Sequence, residues 1–392
     1  MKILLLDWKA FGNEEIYNAF TSLGHEVIRF PFPSEEPRHN PVFEAALEKE
    51  IEKQHPDFIF SFNYFPVVSI VCKKAGVKYA SWIYDSPYVL MYAYQIIFDC
   101  NYVFVFDKEL YLEFHRNNIN TVYYLPLAAD AKKLSQMTDI MSFKKSASAN
   151  KADIAFVGQL YTEKHQFFQR MEGISDYTRG YLEGIMAAQK QVFGFNFVKD
   201  MLSADILEDM HKYLPLDTNP EGVETREYLY SQYVINRQLT AIERTELLSA
   251  IGEHHSFDLY TVDPTLKLHG CINHGKVDPI DTAPYVYKCA KINLNISLRS
   301  ITSGIPLRCF DILGSEGFLI SNYQADFDDC YIANEDYVYY DSKDDLLAKI
   351  DYYLNHEDER REIAHNGFVR TLENHTFEHR ALEIISILFP EE

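Results

Sequence analysis

Short, nearly continuous apolar runs, the mark of strands buried on both faces, alternate along this chain with amphipathic stretches of helical period. Residues 2–7 (KILLLD) read as a buried parallel strand, a turn at Gly12 leads into a helix with Ile16, Phe20 and Leu23 on its apolar face, and residues 24–27 (GHEV) open the next strand. The pattern continues with a helix over 41–54, a strand at 57–61, and strands over 77–82 and 102–106 flanking the loop Tyr84-Asp85-Ser86-Pro87. Such alternation predicts a doubly wound sheet, whose ligands gather at the carboxyl ends of its strands. Asp85 falls at one of those ends. It suits either of two roles, orienting or deprotonating a hydroxyl, or serving as a turn carboxylate ahead of Pro87.

Leu125-Pro126-Leu127-Ala128 closes a first domain of residues 1–130. Beyond it the chain turns polar, short in side chain and aperiodic, which predicts a linker over 131–151. DIAFVG at 153–158 starts a second sheet in a domain of residues 152–375. Residues 166–248 are helical in composition, broken at Pro215 and Asn219-Pro220, and too long for a simple crossover. They read as an inserted helical bundle. A strand at 257–260 comes next, and helices over 344–354, 358–372 and 377–388 end the chain.

Composition narrows the partners. A length of 392 residues favours two domains, and 47% apolar with 24% charged residues describes an ordinary folded protein. The 28 Tyr and 27 Phe read first as core filling and second as stacking surface. A formal charge of -21 argues against nucleic acid or an anionic membrane surface as a partner. The six cysteines contain no CxxC pair, so neither zinc nor a disulfide framework is expected, and the predicted location is cytoplasmic. No integral membrane segment is expected, because no apolar run is long enough, and the run at 3–6 is cut short by Asp7. His269 and His274 are poorly spaced for a metal, and Asp326-Phe327-Asp328 reads as helix-start carboxylates.

The stretch with the most chemistry is 291–321, KINLNISLRSITSGIPLRCFDILGSEGFLIS. Ile292, Leu294 and Ile296 alternate with Asn293, Asn295 and Ser297, the period of a strand. Ser303-Gly304-Ile305-Pro306 then breaks the chain, with Pro306 suited to a first helical position. Unpaired amides at the positive end of a helix dipole suit a phosphate. Arg308 adds a planar cationic fork on the first turn, and Asp311, three residues on, shares its face. The same two residues would also serve as a surface ion pair.

These residues resemble the C-terminal domain of GT-B glycosyltransferases, and within them the bacterial spore maturation protein CgeB-like group. Asn295, Gly304, Arg308, Phe310, Asp311 and Gly317 fill the places of an Asn-rich strand, a glycine loop, Arg-x-Phe-Glu/Asp and a Gly-Phe-Leu strand. The resemblance extends to SFNYFP and SWIYDSP in the first half and to the closing helices, where the tail 376–392 is expected to cross back onto the first domain. It implies two Rossmann-like domains facing a cleft, the second carrying the helical insertion. Asp311 stands where retaining relatives hold the nucleotide ribose, and Ser303 stands where they have a glutamate. Gly158 and Lys164 match a phosphate loop whose usual arginine is here Gln159. Gly275, Lys276 and Val277 match the loop whose backbone holds the base.

The expected activity is transfer of a sugar from a nucleotide diphosphate sugar, UDP-sugar favoured, to an unknown glycan, protein or small-molecule acceptor. Donor contacts are expected at Gly158, Lys164, Gly275, Lys276, Val277, Asn295, Ser303, Gly304, Ile305, Arg308 and Asp311, with Arg308 and Asp85 catalytic. No metal and no cofactor beyond the donor is expected, and retention is the expected outcome. His25 and His115 are further candidates for a base. The alternative is a noncatalytic nucleotide- or carbohydrate-binding scaffold, suggested by Ser303 and Gln159.

Overall fold

The computed structural model describes residues 1–33, 35–137, 151–162 and 166–390. It divides into two units. The first comprises Met1–Ala128, Thr218–Glu224 and His375–Glu392, and the second Ala129–Asp217 and Thr225–Asn374.

In the first unit, strands β1 (Lys2–Asp7), β2 (Glu26–Pro31), β3 (Phe58–Phe62), β4 (Lys78–Ile83), β5 (Asn101–Val105) and β6 (Val122–Tyr124) form one sheet in the order β2-β1-β3-β4-β5-β6. Every pairing is parallel, with Leu4 opposite both Ile28 and Ile59. A parallel sheet must be covered on both faces, and β3 is accordingly buried at all five positions. The helix Phe377–Leu388 supplies part of that cover. It opens with a capping box between Thr376 and His379. Phe377 meets Trp82 edge-on at 5.8 Å, and the buried Arg380 donates to the carbonyls of Pro126 at 2.8 Å and Leu127 at 3.3 Å. The tail therefore packs with the first unit.

Residues 218–224, sequence-adjacent to helices of the second unit, also belong to the first. Gly222 bridges to Ala93, with Tyr94 N–H donating to the Glu221 carbonyl at 3.0 Å and Val223 N–H to that of Tyr92 at 2.8 Å. The expected boundaries differ here from the structure, because pairing across space overrides continuity along the chain. The expected linker over 131–151 also opens with a helix, Ala131–Gln136, whose Ala131 and Leu134 are buried. This helix packs beside Gly314 of the second unit, where an added methyl would lie 2.9 Å from Ala129 Cβ. The rest of the linker, 138–150, lies outside the described residues.

The second unit repeats the architecture with β7 (Ile154–Val157), β8 (Phe257–Tyr260), β9 (Cys271–Asn273), β10 (Ile292–Asn295), β11 (Leu319–Asn322) and β12 (Val338–Tyr340), ordered β12-β11-β10-β7-β8-β9 and again parallel. Between β7 and β8 lies the helical insertion. Leu182, Met186, Val198, Met210, Tyr230 and Val234 give it a core of its own. A π-helical turn, Tyr230–Ile235, runs directly into the helix Asn236–His254. Leu247, Leu248 and Ile251 then carry that helix onto the sheet core.

The alternating strand at 292–296 turns out to be central, between β11 and β7, and buried on both faces. Ile292, Leu294 and Ile296 enter the apolar core. The polar alternates are held by hydrogen bonds, Asn293 Nδ2 donating to the Tyr287 carbonyl at 2.8 Å and Asn295 Nδ2 to Ser321 Oγ at 2.9 Å, while Asn293 Oδ1 is buried with no partner among the described residues.

Candidate functional site

Topology picks the location. In the second unit the chain adds β8 and β9 on one side of β7, then returns to add β10, β11 and β12 on the other. The loops leaving β7 and β10 diverge at that switch point, and the crevice at the strands' carboxyl ends is where doubly wound sheets take ligands.

Arg308 sits there. It is the second residue of the helix Leu307–Gly314, for which Pro306 is the N-cap (φ -61, ψ 147) and not the first helical residue as expected. The extended ψ of Pro306 aims the chain out of the buried turn 303–305. Arg308 Nη1 donates to Asn295 Oδ1 at 3.1 Å, at the end of β10. Its Nη2 lies 2.6 Å from where a β-carbon on Gly158, just past β7, would be. Its guanidinium stands 5.3 Å from the Phe156 ring centroid. One side chain thus spans the switch point, and only glycine at 158 leaves room for it. Asp311 is half-buried one turn on, and both charges reach the buried Tyr287 hydroxyl. Burial chiefly pushes that phenol up, with Asp311 raising it further and Arg308 opposing.

Beneath Arg308 lies a residue that sequence reading passed over. Arg244, on the helix Asn236–His254, is 2% exposed. Its Nε donates to the Ile296 carbonyl at 2.9 Å, and Nη2 donates to the same oxygen. Its Nη1 donates to the Gln159 carbonyl. It therefore ties the residue after β10 to the loop after β7, the same span that Arg308 crosses. Burial first, and the charge of Arg308 second, pull its guanidinium down to about 10. The helical register of 236–254 gave no sign of this, since an arginine on an amphipathic helix ordinarily faces water.

Of the other expected donor residues, Ser303, Gly304 and Ile305 form the turn before the helix Leu307–Gly314, and Gly275, Lys276 and Val277 follow β9. Ser303 and Ile305 are each 2% exposed and Gly304 is buried. The Gly304 carbonyl accepts from Gln324 Nε2 at 3.0 Å and that of Ser303 from Asp326 N–H at 3.0 Å. The turn is thereby fixed just ahead of the helix start. Gly275 adopts φ +75 and its N–H donates to Asn273 Oδ1 at 2.9 Å. Val277 packs on the apolar cluster of Ala155, Tyr260 and Val286, while Lys276 is exposed. His274, next to this loop, binds the fully buried Asp258 at 2.6 Å and stacks on Tyr260 at 4.6 Å. Its role beside the loop was not foreseen. Lys164 lies outside the described residues.

In the first unit the switch point is at β1 and β3. Asn63, held in the left-handed region at φ +56 just past β3, donates through Nδ2 to Asp85 Oδ2 at 2.7 Å. Asp85 is open to solvent on one side, but crowding by protein on the others raises its carboxyl above the usual range, opposed by the Asn63 hydrogen bond. Trp8 and Tyr84 lie parallel nearby, 6.4 Å between centroids. The two histidines considered as bases lie elsewhere. His25 precedes β2 at the amino-terminal edge of the sheet, its Nδ1 3.3 Å from the Met1 amino group. His115 is in the last turn of the helix Lys108–Arg116, which runs away from the carboxyl edge, and stacks on Tyr111. Asp326 and Asp328 begin the short helix Phe327–Cys330. Among the described residues no three His, Cys, Asp or Glu side chains group as metal ligands, and no helix is long and apolar enough to cross a membrane.

Residues 244–386 match the glycosyl transferase-like family. No curated protein matches the sequence. Among solved structures, a glycosyltransferase from Rickettsia africae superposes at TM-score 0.54 and 11% identity, over 100% of this chain and 99% of that one. The E. coli trehalose-6-phosphate structure bound with UDP-2-fluoro glucose gives 0.55 and 10%, over 100% of both chains. Anabaena HepE in complex with UDP-glucose gives 0.52 and 10%, over 99% of both. The fold is therefore GT-B, two parallel-sheet Rossmann-like units. The glycosyl transferase-like match begins at Arg244 and contains Arg308.

Proposed function

We propose that this protein is a cytoplasmic, CgeB-like glycosyltransferase that moves a hexose from a UDP-sugar to a hydroxyl of an acceptor, with retention and without a metal. The observation that carries the reading is Arg308 spanning Asn295 and Gly158 at the β7/β10 switch point. The family match and the UDP-sugar complexes of similar folds support it.

In this reading the donor diphosphate lies against the start of the helix Leu307–Gly314. The bond between the anomeric carbon and the β-phosphate oxygen breaks, and its electron pair stays on the phosphate. Arg308 and the helix dipole stabilise that growing charge, an electrostatic contribution. The acceptor oxygen bonds to the anomeric carbon from the same face, and the acceptor's proton passes to the departing phosphate. Asp311 binds the ribose hydroxyls, the backbone of Gly275, Lys276 and Val277 holds the base, and Lys164 adds to the diphosphate site. Asp85 orients the acceptor hydroxyl.

The test is a panel of UDP-, GDP-, ADP- and dTDP-sugars incubated with the purified protein. Slow release of a nucleoside diphosphate from one donor supports the enzyme. Binding without release over long incubation would favour the scaffold reading, and neither binding nor release would remove the donor site altogether.

A further inference from the structure

The phosphate loop after β7 carries Gln159 where the resembling family has an arginine, yet this part of the molecule is not short of guanidinium groups. Arg237 and Arg244 stand seven residues apart, two turns, on one face of the helix Asn236–His254. Both reach the ring of Tyr161, Arg237 at 5.8 Å and Arg244 at 5.2 Å from its centroid. Tyr161 itself is held at φ +57, an uncommon conformation for a bulky side chain, in the turn just past Gly158 and Gln159.

Arg244 continues the line inward. Its guanidinium is 5.5 Å from the Phe156 ring centroid, and that of Arg308 is 5.3 Å from the same ring. The three arginines therefore succeed one another around the β7 turn, linked by the rings of Tyr161 and Phe156. Among the described residues none of the three makes an ion pair with a carboxylate. Glu243, adjacent to Arg244, is already engaged by Arg299 through two hydrogen bonds of 2.8 and 2.5 Å. Arg244 spends its donors on carbonyls, and Arg237 Nε is buried with no hydrogen-bond partner among the described residues. Buried donors on a cation are costly to leave unmade, so an anion here would recover that cost. The helix that bears the pair is entered through the π-helical turn Tyr230–Ile235. Such a distortion often marks a functional site.

We propose that Arg237 and Arg244 supply, from the inserted helices, the phosphate-side cation that the β7 loop lacks at Gln159. Arg237 contacts the diphosphate of a nucleoside diphosphate ligand directly. Arg244 is a positioning residue that holds the Gln159 carbonyl and keeps a second, water-excluded charge beside Arg308. The inference rests on the donor-site reading above, and deepens it by naming which side chains read the phosphates.

Calorimetric titration of the full chain with UDP and with uridine tests it, alongside thermal melting of each variant. Arg237→Met, at a partly exposed position, is expected to weaken UDP binding by about tenfold or more, the worth of one charge-assisted hydrogen bond, while leaving uridine affinity unchanged. Arg244→Lys keeps the charge and loses the fork, and is expected to weaken UDP binding severalfold, again sparing uridine. A purely structural role for either arginine would lower UDP and uridine affinity together. That result, or variants that bind UDP as tightly as the parent, would overturn the proposal while leaving the donor reading intact if Arg308→Ala still loses UDP. A parent protein that binds none of UDP, GDP and ADP would overturn both.

Discussion

Arg308 Nη1 lies 3.1 Å from Asn295 Oδ1, so a residue on the first turn of one helix is held against the end of the central strand β10 by a buried amide. Asn295 is itself fixed through Nδ2 by Ser297 and Ser321 at 3.1 and 2.9 Å. The guanidinium is thus oriented before any ligand arrives, and less entropy is lost on binding.

Replacing Arg308 by alanine should weaken nucleoside diphosphate binding by about tenfold or more. Folding should weaken by about 1–3 kcal/mol without being lost, because the fully buried Asn295 Oδ1 is deprived of its donor. Calorimetry with UDP and a thermal melt check both halves of the statement. An unchanged affinity would take Arg308 out of the site.

Gly158→Ala tests the same contact from the other side. Its β-carbon would fall 2.6 Å from Arg308 Nη2, the far end of a flexible side chain, so the backbone is spared and the guanidinium is displaced. The expected outcome is a loss of UDP affinity resembling that of Arg308→Ala, with stability within about 1 kcal/mol of the parent by urea titration.

Asp85 predicts a pH dependence with a definite sign. Its carboxyl is raised by desolvation in the folded protein, so between the ordinary carboxylate range and its raised value the native state holds more proton than the unfolded chain. Stability contributed by this group is present at the acid end of that window and lost as pH rises through it. Asp85→Asn should flatten this fall, measured as urea midpoints across the acid range. If Asp85 also handles the acceptor, the variant should lose transfer while retaining UDP binding.

His274→Ala should strip the fully buried Asp258 of its imidazole partner and leave it the Ala152 N–H, which donates at 2.9 Å. The expected cost is about 1–3 kcal/mol in urea unfolding, the penalty of an under-satisfied buried acceptor. Because His274 directly precedes Gly275, affinity for uridine as well as for UDP should fall, a pattern that separates this loop from the arginines.

Removing the aromatic contact with Phe377→Ala should destabilise the first unit and shift the fluorescence of Trp82, against which the Phe377 ring packs at 5.8 Å. A loss of roughly 2–3 kcal/mol is expected for a half-buried phenylalanine, below the range for a fully buried one. An unaltered emission spectrum would mean that the C-terminal helix is not docked there in solution.

Much of this architecture is written in local pattern. The apolar runs of β1, β3 and β10, the glycine before the first helix, and the break at 303–306 are short-range signals, because strand burial and turn conformation depend on a few neighbouring residues. Arg308 and Asp311 were legible as a pair for the same reason, standing three apart at a helix start. Asn295 was legible only as part of a motif, since its alternation with Leu294 reads equally as a half-exposed strand.

Local pattern could not supply anything set by strand order. β10 lies beside β7 although the whole helical insertion and two further strands separate them along the chain, and this pairing places Asn295 near Gly158 and makes that edge a switch point. The helix Asn236–His254 turns Arg244 inward, onto the carbonyls of Ile296 and Gln159, because Leu247, Leu248 and Ile251 pack on the sheet. Residues 218–224 join the first unit by a backbone bridge that any sequence with free N–H and carbonyl groups could make. The amino-acid sequence by itself determined the elements, the two-sheet class and the cationic helix start. Only the tertiary structure decided which arginines share a site, because long-range pairing is settled by the total burial and hydrogen bonding of the fold, and no local window contains it.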